Sequence, residues 1–119
     1  MGKIIILDTD FILGIVKNNI DADTEIKSIV PDKCELCVFD STFDELKDKP
    51  LAEAAIKYIK NYMVIKTNQK IPVDDAILEL IGKKKDIIVA TQDKKLKEKL
   101  KKRKIPIITI RQQKYLVFI

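Results

Sequence analysis

The stretch Lys3-Ile-Ile-Ile-Leu-Asp8-Thr-Asp-Phe-Ile-Leu13 decides how the rest of the chain is read. Ile4 to Leu7 is an unbroken apolar run, too short for a helix, as expected of a strand buried on both faces. An aspartate closes it, and Phe11 to Val16 reads as helix. Ile87-Ile-Val-Ala-Thr-Gln-Asp93 repeats the arrangement much further along. Ligands of an open parallel sheet bind outside the carboxyl ends of its strands, so Asp8 and Asp93 are expected to meet in one crevice. Carboxylates that face each other need a cation between them. Mg²⁺ and Mn²⁺ prefer carboxylate oxygen and keep several waters, which makes a divalent-metal site the first hypothesis.

Working outward, short apolar runs alternate with longer amphipathic segments. Ala22, Ile26 and Ile29 space a second helix, and Cys34 to Phe39 reads as a strand. Thr42 and Glu45 have capping-box spacing, so a short helix is expected to begin at Thr42. Pro50 separates it from a helix over Leu51 to Tyr62, and Met63 to Ile65 is a brief strand. Pro72 precedes a helix from Val73 to Ile81 that ends at Gly82. Beyond the strand Ile87 to Ala90, Leu96 and Leu100 mark a helix, Ile107 to Ile110 a strand, and Tyr115 to Ile119 an edge strand. The alternation predicts an α/β fold, a three-layer α/β/α sandwich with a mainly parallel central sheet. With 119 residues and 46% hydrophobic composition, residues 1–119 are expected to form one domain.

Composition excludes several chemistries. Without histidine there is no Ser-His-Asp or Cys-His arrangement and no histidine-ligated zinc. Gly2, Gly14 and Gly82 make no phosphate-cradling loop. Cys34 and Cys37 lie an odd number of residues apart on a strand, which points their thiols to opposite faces and favours structural roles. Two cysteines that give no disulfide framework, and the lack of a signal or membrane-spanning run, lead to the expectation of a cytoplasmic protein that does not engage a membrane. Much Lys, Glu and Ile with little Gln, Met and Trp is the balance of heat-adapted proteins.

What remains is carboxylates, eighteen of them, set against a formal charge of +5. Residues 83–104 carry eleven lysines and arginines against three acids, whereas residues 1–82 carry ten against fifteen. This is the pattern of an acidic metal pocket beside a surface for phosphates. The ordinary reading of Lys94 to Lys104 is the solvated face of a helix. Besides Asp8 and Asp93, Glu45 and Asp74 are best placed to converge, one a turn into its helix and the other in a first turn after Pro72. Each acid also has an ordinary explanation. Asp8, Asp10 and Asp93 fit helix N-caps, Glu45 a capping box on Thr42, and Asp74 or Asp75 a helix dipole. Asp40 is a further candidate ligand, or a cap with Ser41.

Four blocks, Ile4-Ile-Ile-Leu-Asp8-Thr-Asp-Phe-Ile-Leu13, Thr42-Phe-Asp-Glu45-Leu46, Val73-Asp74-Asp75-Ala-Ile-Leu78 and Ile88-Val-Ala-Thr91-Gln-Asp93-Lys-Lys-Leu96, resemble the successive blocks of PIN-domain ribonucleases. The last block, followed by a basic helix and Ile105-Pro-Ile-Ile108, is similar to the archaeal-type and small-subunit ribosomal RNA processing branch. The resemblance implies a metal-dependent endoribonuclease whose acidic quartet is Asp8, Glu45, Asp74 and Asp93, with Thr91 as supporting hydroxyl. Asp10 stands where the family commonly has asparagine. Of Asp74 and Asp75, which point about 100° apart on a helix, the spacing to Ile77 favours Asp74.

The implied cofactor is Mg²⁺ or Mn²⁺ and the implied partner is RNA, guided by Lys94, Lys95, Lys97, Lys101, Lys102 and Arg103. So small a domain would draw specificity from a homodimer, an antitoxin or a pre-ribosomal protein, and the toxin and ribosomal RNA processing roles both stay open. Two other classes remain. Asp8-x-Asp10 also opens haloacid dehalogenase phosphatases, although Ile12 stands where threonine or valine is expected there. A non-catalytic RNA-binding scaffold would keep the lysines without metal-dependent cleavage.

Overall fold

The apolar run Ile4 to Leu7 lies at the centre of a twisted sheet in the computed structural model, which describes residues 2–67 and 71–119. In chain order the described elements are β1 (Lys3–Leu7), α1 (Thr9–Lys17), α2 (Ala22–Ile29), β2 (Cys34–Phe39), α3 (Asp40–Leu46), α4 (Ala52–Ile59), β3 (Met63–Ile65), α5 (Val73–Ile81), β4 (Ile87–Ala90), α6 (Lys94–Lys102), β5 (Ile107–Arg111) and β6 (Tyr115–Phe118). The strands lie in the order β3-β2-β1-β4-β5-β6. All neighbours are parallel except the edge strand β6, which runs antiparallel to β5.

Period-two alternation divides the strand residues between two cores. Ile5, Leu7, Val38, Ile88, Ala90 and Ile108 pack with α1 to α4 through Phe11, Ile15, Ile26, Leu46 and Ile59. Ile6, Cys37, Phe39, Val89 and Ile107 pack with α5 and α6 through Val73, Ile77, Leu96 and Leu100. Helices therefore cover both faces, the three-layer sandwich that the alternation of segments predicts. Cys34 and Cys37 do join opposite cores. The lysine-rich α6 buries two residues, Leu96 and Leu100, each contributing roughly 1.5 to 3 kcal/mol by burial. Helix α1 lies close over β5, where a Cβ on Gly14 would meet Ile110 Cδ1 at 2.7 Å.

Several boundaries differ from expectation. Helix α3 begins at Asp40 rather than Thr42, with Phe39 in the cap position and no side-chain cap. Thr42 Oγ1 is buried without a hydrogen-bond partner among the described residues, so the expected capping box does not form. Helix α4 starts after Leu51, which adopts a left-handed conformation (φ 66°), and stops at Ile59 rather than Tyr62. Gly82 caps α5 in a right-handed conformation, and the left-handed residue of that connection is Asp86 (φ 62°). Among the described residues no helix is long and apolar enough to cross a membrane.

Candidate active site

The chain builds β1, β2 and β3 outward in one direction and then crosses back to place β4 on the other side of β1. The β1/β4 boundary is thus the topological switch point, where the loops leaving two neighbouring strands part toward opposite faces and open a crevice. Asp8 and Thr91 are the first residues beyond those two strands. The Asp8 amide donates to Ala90 O (2.9 Å) and the Thr91 amide to Ile108 O (3.0 Å), so both residues leave the sheet in fixed register.

A continuous run of hydrogen bonds crosses this crevice. Asp8, 6% exposed, accepts from the Thr9 amide on Oδ1 (2.9 Å) and from Thr91 Oγ1 on Oδ2 (2.8 Å). Thr91 Oγ1 in turn accepts from the Asp93 amide (3.1 Å). Asp93 Oδ1 caps α6, accepting from the amides of Lys95 (2.9 Å) and Leu96 (3.2 Å). On the other side Thr9 Oγ1 donates to Glu45 Oε1 (2.7 Å), and Glu45 Oε2 accepts from the Val73 amide (2.9 Å). Glu45 thereby ties α3 to the starts of α1 and α5, an arrangement incompatible with the capping-box alternative. The capping explanations of Asp8 and Asp93 do hold: each is the N-cap of its helix. Capping occupies Asp93 Oδ1, and its second oxygen accepts no hydrogen bond among the described residues.

Asp74 follows Val73 directly and is half-buried, whereas Asp75 is exposed. The Asp75 amide donates to Asp74 Oδ1 (3.1 Å). Asp10, exposed in the first turn of α1, acts on the site through its charge. Asp40 turns elsewhere: its carboxylate accepts from the Ser41 amide and from the Thr67 amide and hydroxyl. Burial alone would raise Asp40, but these bonds outweigh it and hold the carboxyl below its usual range. It staples the ends of β2 and β3 together.

The electrostatics favour a cation. Burial pushes the Asp8 carboxyl up to about 6; the hydrogen bonds from Thr91 and Thr9 oppose the rise, and the charges of Asp10 and Glu45 add to it. A dication beside Asp8 would relieve both the desolvation and the repulsion. The donors are all hard oxygens, as Mg²⁺ or Mn²⁺ requires. Among the described residues no three acid or thiol side chains stand in position to hold an ion unaided. The arrangement therefore fits an ion that rests on one or two carboxylates and completes its shell with water and substrate oxygen, the habit of Mg²⁺.

Of the expected basic contacts, Lys94, Lys95, Lys101 and Lys102 are exposed along α6. Lys97 is only half-exposed and donates from Nζ to Thr109 Oγ1 (2.9 Å); burial and then Lys101 lower its pKa against the pull of Asp93. Arg103 Nη1 donates to Leu78 O (3.1 Å), joining α6 to α5. Sequence reasoning missed Thr9, which relays between Asp8 and Glu45, and Gln92, whose Oε1 accepts from the Thr109 hydroxyl and the Ile110 amide. A hydroxyl next to a candidate acid was the one available signal for Thr9.

The Fcf1 family matches residues 28–117. Over 122 aligned residues the chain is 34% identical to Ribonuclease VapC4 of Methanocaldococcus jannaschii, covering 93% of this chain and 92% of that protein. Its fold superposes on the PIN domain endonuclease Utp24 with a TM-score of 0.84 at 25% identity, over 97% of this chain and 90% of that one.

Proposed function

This chain belongs to the Fcf1 family of PIN-domain ribonucleases, and from that premise we propose that it is a divalent-metal-dependent endoribonuclease, acting in ribosomal RNA processing or as a toxin-type ribonuclease. The observation that carries the reading is the hydrogen-bonded run Glu45–Thr9–Asp8–Thr91–Asp93 at the β1/β4 switch point. Asp8 and Asp93, rooted at strand ends, would hold Mg²⁺ or Mn²⁺, with Glu45 and Asp74 binding or orienting water around it. Such an ion, when bound, lowers the pKa of water and offsets the negative charge of the phosphodiester. Thr91 fixes the Asp8 carboxylate by donating to Oδ2, and Thr9 fixes Glu45 in the same way. The exposed lysines of α6, which starts beside Asp93, would steer the RNA backbone toward the crevice. The cytoplasm is the proposed location. A homodimer, an antitoxin or a pre-ribosomal protein would supply the specificity that so small a domain lacks.

The test is cleavage of labelled RNA with Mn²⁺ or Mg²⁺, with and without chelator, by the wild type and Asp93→Asn. Cleavage abolished by both the chelator and the substitution is expected. Cleavage indifferent to both would refute the reading. Activity on ribosomal precursor fragments alone would select the processing role, and activity suppressed by a protein encoded beside this one would select the toxin role.

A further inference from the structure

We propose that a lysine-rimmed pocket at the amino end of the sheet is a second RNA-binding site, which takes an unpaired nucleotide from the same strand whose scissile phosphate lies at the carboxyl end. The inference rests on the RNA reading above and extends it to the opposite end of the molecule. The pocket measures about 520 Å³, and Lys3, Lys84, Lys85 and Lys104 line it with Ile105 and Phe118. These lysines come from the first residue of β1, the α5–β4 connection and the α6–β5 connection. Two acids also face it, Asp32 and Asp86. Asp86 is already paired with Lys3 (3.2 Å), so the lysines outnumber the acids left to oppose them.

The lining suits a nucleotide better than a free anion. Phe118 is 41% exposed and presents a ring beside apolar side chains, a platform on which any base can stack. Lysines around the mouth would take the adjoining phosphates. The rim is held in place: the Ile4 amide donates to Asp86 O (2.9 Å) and the Ile105 amide to Leu100 O (3.0 Å).

Helix α6 connects the two sites. Its N-cap is Asp93 in the candidate active site and it ends two residues before Lys104 at the pocket, with Lys94, Lys95, Lys99, Lys101 and Lys102 exposed along it and Glu98 the one acid among them. Nine helical residues extend about 13 Å at ~1.5 Å each. A stacked strand with a rise of ~3.4 Å per nucleotide covers that distance in roughly four nucleotides. One strand of roughly six would thus span crevice, helix and pocket.

Fluorescence anisotropy of labelled single-stranded oligouridylates of increasing length, with EDTA present to prevent cleavage, tests the proposal. For the wild type, affinity should rise up to about six to eight nucleotides and then level off. Lys84→Gln/Lys85→Gln should weaken binding of a twelve-nucleotide RNA about fivefold and lower its salt dependence by about one phosphate contact, erasing most of the gain with length. Phe118→Ala should weaken it while leaving the salt slope unchanged. The control pair Lys49→Gln/Lys57→Gln, on the α3–α4 side, should change nothing. An unchanged affinity and slope in the lysine variant, an equal loss in the control, or a hexaglutamate peptide binding as tightly as the RNA would each overturn the pocket. The two proposals fail separately. A wild type that binds through these residues but never cleaves with Mn²⁺ refutes the nuclease alone, and one that cleaves while the lysine variant binds normally refutes the pocket alone.

Discussion

At the carboxyl end of the sheet Asp8, Glu45 and Asp93 sit within one run of hydrogen bonds, whereas at the amino end Lys3, Lys84, Lys85 and Lys104 surround an open pocket. Helix geometry accounts for part of this contrast. Helices α1, α3, α5 and α6 begin at the carboxyl end, and α2, α4, α5 and α6 finish at the amino end. Their dipoles favour acids at the first and bases at the second, each by roughly 0.3 to 1 kcal/mol. A dipole preference of that size is satisfied by exposed charges. It does not explain why Asp8 is buried against its own pKa, with Glu45 linked to it through Thr9. What the comparison teaches is that the carboxyl end holds a charge, that of Asp8, at a cost to folding, as expected of an end that binds a cation.

The contrast breaks most visibly if the acids are interchangeable with amides. Asp8→Asn and Asp93→Asn should each reduce metal-dependent cleavage at least about a hundredfold while the protein stays folded, as read by single-turnover RNA cleavage and circular dichroism. The fold should even gain from the first of these. A carboxyl whose pKa rises from 3.8 to about 6 on folding destabilises nothing below 3.8, where both states are protonated, and is most costly above about 6, where burial must hold the charge. Metal-free stability should therefore fall as pH climbs through that window, by on the order of 3 kcal/mol. Urea unfolding in EDTA should show Asp8→Asn more stable than wild type at about pH 7.5 and equal to it at about pH 3.5. A wild type as stable as the variant at the higher pH would show that Asp8 is not strained.

Smaller effects sharpen the comparison. Glu45→Ala leaves the Val73 amide and the Thr9 hydroxyl without their acceptor, an expected loss of about 1 to 3 kcal/mol by thermal or urea unfolding. The least effect belongs to the basic side, where Lys101→Gln should lower the slope of log affinity against log salt by about 0.7 for single-stranded RNA, with cleavage at low salt nearly unchanged.

The places of Asp8 and Asp93 were legible in the sequence because the first directly follows a run of strand residues and the second lies three residues past one, and the end of a strand is a local property. The three-layer sheet was legible for the same reason, since runs such as Ile87 to Ala90 are buried on both faces and carry no alternation. Partners were not. Glu45 is spaced for Thr42 but bonds to Thr9 and the Val73 amide, 36 and 28 residues away, and only the folded packing of α3 on α1 and α5 decides that choice. Lys97 looked like its neighbours, yet its place on α6 turns it toward Thr109. The amino-end pocket was illegible because its lysines come from the start of β1 and two separate connections and form no motif.

The central claim is that the carboxyl-end acids share a dication, and anomalous diffraction from crystals grown with Mn²⁺ locates such an ion without reference to activity. The account predicts one strong peak at bonding distance, about 2.1 Å, from an Asp8 carboxylate oxygen and on the side facing Asp93. A crystal saturated with Mn²⁺ whose peaks all lie away from Asp8 would contradict it.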